Sequence, residues 1–168
     1  PAYGLELSNS QVILFTLVIF ALGRIAGLKL FGYLFSRVDF LVVRNTINGL
    51  FLAGTVLFFN FDSLIAIGIG SVLYGLGMGG GNLAWNLWVL WLAPPDRQAE
   101  YMSVHTSLTG FRGVLAPFLA YGVTMLSRPQ VVSWISVAML IAAIVLFLRV
   151  RRMPTADRLW KNLGGIDA

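Results

Sequence analysis

Between Asp62 and Asp96 the chain runs for 33 residues without a charged side chain. Four more charge-free windows flank it, at 7–23, 45–61, 113–127 and 129–148. A hydrocarbon core of about 30 Å needs roughly 20 mainly apolar residues in a helix, and only helices or closed barrels satisfy their backbone in lipid. The windows are continuously apolar and lack the alternation of barrel strands. They predict an all-α, polytopic membrane helix bundle: a single membrane domain over 1–168, with spans at about 9–33, 41–60, 63–92, 99–126 and 130–150. A tail follows at 151–168.

Composition supports this reading. Apolar residues make up 58% of the chain and charged residues 11%, with a mean hydropathy of +0.82. A soluble domain carries roughly 45–50% and about 25%. There is no cysteine, which removes disulfides, thiolate metal sites and thiol catalysis. The net charge of +5 comes from Lys and Arg at span ends, not from a basic stripe with interleaved aromatics, so nucleic acid is not an expected partner. The lipid bilayer is.

The third window exceeds one span but falls short of two plus a turn, which would need about 40 residues. One long helix is the simpler expectation; a break at Gly75-Leu76-Gly77-Met78-Gly79-Gly80-Gly81 is the alternative. The short connections around Asp62, Pro94-Pro95 and Pro129 predict that successive spans are antiparallel neighbours. Lys29, Arg37, Arg44, Arg97 and the five cations from Arg149 onward fall on one side, with Arg128 alone opposite. The positive-inside rule then puts the N-terminus outside and the C-terminus in the cytoplasm. Pro1-Ala2-Tyr3-Gly4 fits a Met-trimmed start or a cut through a longer chain, and no charged n-region of a signal peptide precedes Glu6.

The stretch Leu5-Glu6-Leu7-Ser8-Asn9-Ser10-Gln11-Val12 resembles the extracytoplasmic loop between the first two helices of a half in a major facilitator superfamily transporter. Gly32-Tyr33-Leu34-Phe35-Ser36-Arg37-Val38-Asp39 resembles that family's cytoplasmic motif, Gly-x-Leu-Ala-Asp-Arg/Lys-x-Gly. Gly32, Leu34 and Arg37 match; Ser36 and Asp39 replace the motif's Asp and last Gly. Ala93-Pro94-Pro95-Asp96-Arg97 resembles the loop between helices ten and eleven, and Gly110 to Pro117 the Gly-Pro region of helix eleven. The resemblance implies that the five spans are helices eight to twelve of a transporter in the plasma (inner) membrane of a bacterium. Its partners would be a small solute and the remaining helices. Gly32 and Arg37 would serve a cytoplasmic gating loop. In that fold, the arginines of Gly23-Arg24-Ile25-Ala26-Gly27 and Gly110-Phe111-Arg112-Gly113 sit on symmetry-equivalent helices.

Candidate site residues follow from cost. Arg112 lies at helix-centre depth, where a charge costs about 2.5–3.5 kcal/mol and faces a cavity or a partner. Arg24 is closer to a span end and suits an anchoring role. Tyr101, His105, Leu108 and Arg112 share one helical face. His105 could move a proton, ligate a porphyrin metal or simply hydrogen-bond within the bundle. Asn82, Trp85 and Asn86 share a face of the third span and would hydrogen-bond and stack a ligand, or glue helices together. Trp88 and Trp91 read as interfacial belt residues. Gly75-x-Gly77-x-x-Gly80 satisfies the dinucleotide fingerprint but lacks the strand and βαβ unit it requires, so close packing or a hinge is its reading. No cofactor or metal site is expected. No carboxylate lies mid-span, so neither an Asp/Glu proton relay nor paired-carboxylate catalysis has residues to use. The expected function is therefore solute transport by alternating access; the alternative is a non-transporting membrane subunit that packs against partners or holds pigment or lipid.

The charge asymmetry generates a prediction. In cells expressing the Asp157→Cys protein, a membrane-impermeant thiol reagent added outside should not label it until the membrane is permeabilised. Labelling in intact cells would overturn the topology.

Overall fold

The computed structural model describes residues 8–151; the tail and the first seven residues, including Leu5, Glu6 and Leu7 of the loop resemblance, lie outside the described residues. Five long helices and no strand occur among the described residues: α1 (Asn9–Phe35), α2 (Phe40–Asn60), α3 (Leu64–Leu92), α4 (Gln98–Leu126) and α5 (Pro129–Arg151). Their bounds lie within two residues of those predicted. Helices α1, α2, α3 and α5 are long and apolar enough to cross a membrane. Helix α4 is as long as α3 but falls outside that set, because its first turns carry Glu100, Ser103, His105, Thr106 and Ser107 and its middle carries Arg112.

The helix starts are chemically encoded. Ser8 and Gln11 form a reciprocal capping box at the head of α1. Asp39 accepts from the Val42 amide at 3.1 Å and caps α2. The Asp that departs from the resembled motif thus has a local structural role. Within α1, Leu14–Ile19 widens to a π-turn, and the Thr16 hydroxyl donates to the Val12 carbonyl at 2.7 Å.

The expectation that every successive pair of spans packs together is corrected. Helix α3 packs most extensively on α1, two elements away, and then on α2, while α2 also packs on α5. Helices α1 and α2 barely touch. The reason lies in the glycines. Gly23 and Gly27 of α1 meet Gly75 and Gly79 of α3 backbone to backbone. A methyl group on Gly27 would sit 2.5 Å from the Leu76 carbonyl oxygen, and one on Gly79 would collide with the Arg24 carbonyl. The opposite face of α3 receives α2: Gly70 meets Gly54 and the Phe58 amide, and Gly77 seats the ring of Phe51, while Gly80 lies against both the Phe31 ring of α1 and Ile47 of α2. The 75–81 run is therefore a packing surface inside one continuous helix, not a break. Lipid supplies no hydrophobic drive between apolar helices, so close van der Waals approach at small residues becomes the organising term.

The core formed this way contains Phe31, Val43, Ile47 and Ala84. Beside it, Phe40 stacks on Phe35 and contacts Trp88, which meets Phe147 edge-on. This aromatic cluster joins the C-terminal ends of α1, α3 and α5 to the start of α2, which brings Arg37 and Arg149 to one end of the bundle. Trp88 is thereby a packing residue and not only a belt residue; the side chain of Trp91 lies outside the described residues. Helix α4 stands apart. It buries no residue, and Gly110, Gly113 and Gly122 face open space.

This contrast yields a stability prediction. Gly79→Val should destabilise the detergent-solubilised protein by about 1–3 kcal/mol or prevent its accumulation, since no flexible side chain can yield to the added methyls. Gly113→Ala should be neutral or stabilise by up to about 1 kcal/mol through helix propensity. Thermal melts of the two variants against the parent check both, and equal effects would dismiss the glycine contact as the organising feature.

Candidate functional site

Two polar pairs lie between the helices, and a cavity takes the remaining charge. Arg24 projects from α1 next to the tight glycine contact and reaches Asn82 on α3. With the Asn82 amide turned so that its oxygen faces the guanidinium, that oxygen accepts from Nε at 3.2 Å and Nη2 at 2.9 Å. The anchoring role expected of Arg24 thus uses an amide on a neighbouring helix. It also commits Asn82, which is not free to contact Arg112.

Trp85, one turn further along α3, stacks against His105 of α4 with ring centroids 4.3 Å apart and a tilt of 51°. His105 Nε2 is buried without a hydrogen-bond partner among the described residues. Beside it, a cavity of about 360 Å³ is lined by Trp88, Val104 and Leu108, together with the Arg97–Glu100 pair. That pair is bidentate, at 2.8 and 2.9 Å, and solvent-exposed. Asn86 is exposed, and its amide donates to the Asn82 carbonyl at 3.4 Å.

Arg112 belongs to a different space. It lines a cavity of about 560 Å³ between α2, α3, α4 and α5. The polar lining comes from Thr55 and Tyr74 on α2 and α3, Thr124 on α4, and Ser133 and Ser136 on α5. Thr55 and Ser133 are buried, at 6% and 5% exposure. Arg112 makes no hydrogen bond or ion pair among the described residues. The five residues expected to share one site are therefore divided: Asn82 with Arg24, Trp85 with His105, Asn86 at the surface, and Arg112 in the larger cavity.

The equivalence expected of the two Gly-Arg-Gly segments does not extend to their surroundings. Gly23 and Gly27 are closed by α3, while Gly110 and Gly113 are open. Near the end of α1, a methyl group on Gly32 would have Leu83 as its nearest neighbour, at 4.0 Å. The Arg37 guanidinium lies 5.5 Å from the Tyr33 ring centroid. Ser36 donates to the Tyr33 carbonyl at 2.8 Å and closes the helix end. Among the described residues, no hydrogen bond or ion pair ties this loop to α4.

Sequence reasoning missed the hydroxyls. Ser133 and Ser136 are three apart on an otherwise apolar helix, and Asn48 and Thr55 are seven apart on another. Polar residues at helical spacing inside apolar spans were the available signal. Asn60 connects the two helices by donating to Ser133 at 2.8 Å, and Asn45 donates to the Ile144 carbonyl at 3.5 Å.

Comparison with protein-family models, with curated proteins and with solved structures gives no match to this chain.

The Arg24–Asn82 geometry makes a quantitative prediction. A double-mutant cycle with Arg24→Gln and Asn82→Ala, read by detergent unfolding, should return a coupling of about 0.5–2 kcal/mol. Strict additivity would mean the two groups do not interact in the folded protein.

Proposed function

We propose that this chain is the helix eight-to-twelve portion of a secondary transporter of the major facilitator type, moving a small solute across a bacterial inner membrane by alternating access. The observation that carries the reading is Arg112: a permanent charge halfway along a bundle helix, at the wall of a cavity, with no carboxylate to neutralise it among the described residues. A charge held at that depth is costly to keep for structure alone and is the usual mark of a solute pathway. Two further features support it. The Gly32–Leu34–Arg37 pattern falls at the end where the other span-end cations gather, where the resembled family has its gating loop. Helix α4 is loosely held, as an element that slides or rocks against a neighbouring bundle has to be.

The nine-to-one distribution of cations makes the Arg37 end cytoplasmic. The alternative, a non-transporting subunit, draws on the same exposed α4 surface, which a partner protein could cover.

The two readings differ in one measurable respect. A Thr124→Cys version of the full-length protein should react with an impermeant thiol reagent in both right-side-out and inside-out vesicles, because a transporter opens its cavity to each side in turn. Labelling from one side only would favour the static subunit.

A further inference from the structure

The Arg112 cavity has a chemistry specific enough to select a ligand class. Its charged group is a single guanidinium, which stays protonated at any accessible pH and presents a planar fork suited to a carboxylate. No Asp or Glu lines the cavity among the described residues. Arg112 is exposed on α4, and as the charge that lines this wall among the described residues it is balanced by one negative charge; a dianion would leave the reverse imbalance.

Hydrogen-bonding capacity agrees. Ser136 and Thr124 donate their protons to the carbonyls of Val132 and Tyr121. Ser133 accepts from Asn60, so its own proton remains available to an anionic oxygen. The rest of the wall includes the apolar side chains of Phe51, Phe59, Met78, Val132 and Leu140. A volume of about 560 Å³ is in the range of small-molecule sites.

We infer that this cavity binds a small amphipathic monocarboxylate, its carboxylate on the Arg112 fork and its apolar body against Phe51, Phe59 and Leu140. Binding is a property of the cavity alone; naming the bound molecule as the transported solute rests on the transport reading.

The test uses the full-length protein in phosphatidylcholine proteoliposomes and in neutral detergent. Butyrate, octanoate and phenylacetate are compared with their neutral amides by calorimetric titration. At least one carboxylate should bind saturably, its amide should not, and Arg112→Gln should weaken binding about 10–100-fold, with Arg112→Lys in between. Leu140→Trp, which fills the cavity but keeps the charge, should abolish binding as well and guards against a folding defect in the Arg112 variants. Arg128→Gln, in the loop outside the cavity, should bind normally. Equal binding of an amide, full binding by Arg112→Gln, or binding by none of the three acids would overturn the inference. So would displacement of the acid by phosphatidylglycerol, with the lipid binding more tightly; the anionic oxygen would then belong to a headgroup. Binding without passage of the acid across the proteoliposome membrane would retain the site and remove the transport reading. Passage that is indifferent to Arg112 would do the opposite.

Discussion

Everything in this bundle is arranged around the contact between the glycines of α1 and α3. Gly23 and Gly27 lie against Gly75 and Gly79 at backbone distance, and the other side of α3 admits Gly54 and Phe51 of α2. In lipid, a leucine surface gains little by exchanging acyl chains for another leucine surface, whereas two backbones in contact gain dispersion along their whole length. The chain therefore places its third helix at the centre, with the first and second on opposite sides of it. The short connection at residues 36–39 does not bring α1 and α2 together, because neither offers the other a surface as closely fitting as α3.

The position of α4 is the consequence. Helix α3 uses its small residues on α1 and α2, and α5 is held by α2. Nothing comparable remains for α4, whose own glycines face open space. It touches the bundle through side chains such as His105 against Trp85 and leaves a space beside α2 and α5. The cavity is thus a by-product of where the helices pack closely, and Arg112 occupies it because α4 is the helix that could not.

The two arginines show how position decides the fate of the same residue. Each is flanked by glycines. Arg24 lies where helices touch, and an asparagine on the touching helix takes up its fork. Arg112 lies where they separate, at the wall of a cavity lined by hydroxyls, aromatic rings and aliphatic side chains. The first has its charge hydrogen-bonded within the protein, and the second makes no hydrogen bond or ion pair among the described residues. Asp39 makes a parallel case at the helix ends: it departs from the resembled motif, yet its carboxylate caps α2.

The sequence alone determined the helices. Uninterrupted apolar runs of spanning length, bounded by Ser8, Asp39, Pro94 and Pro129, leave the backbone no other way to satisfy itself, and the bounds follow within two residues. It also determined which residues are costly enough to need an explanation, Arg112 foremost. What it could not determine was which faces meet. Helical spacing puts Asn82, Trp85 and Asn86 on one side of α3 but does not say which neighbour lies there; the tertiary structure gave Asn82 to α1, Trp85 to α4 and Asn86 to the surface. The hydroxyls of Thr55 and Ser133 were unremarkable one at a time and became a cavity wall only when α2 and α5 came together. Periodicity is a property of one helix, whereas a site between helices depends on the distances between them, and here those distances are set by the glycines of α3.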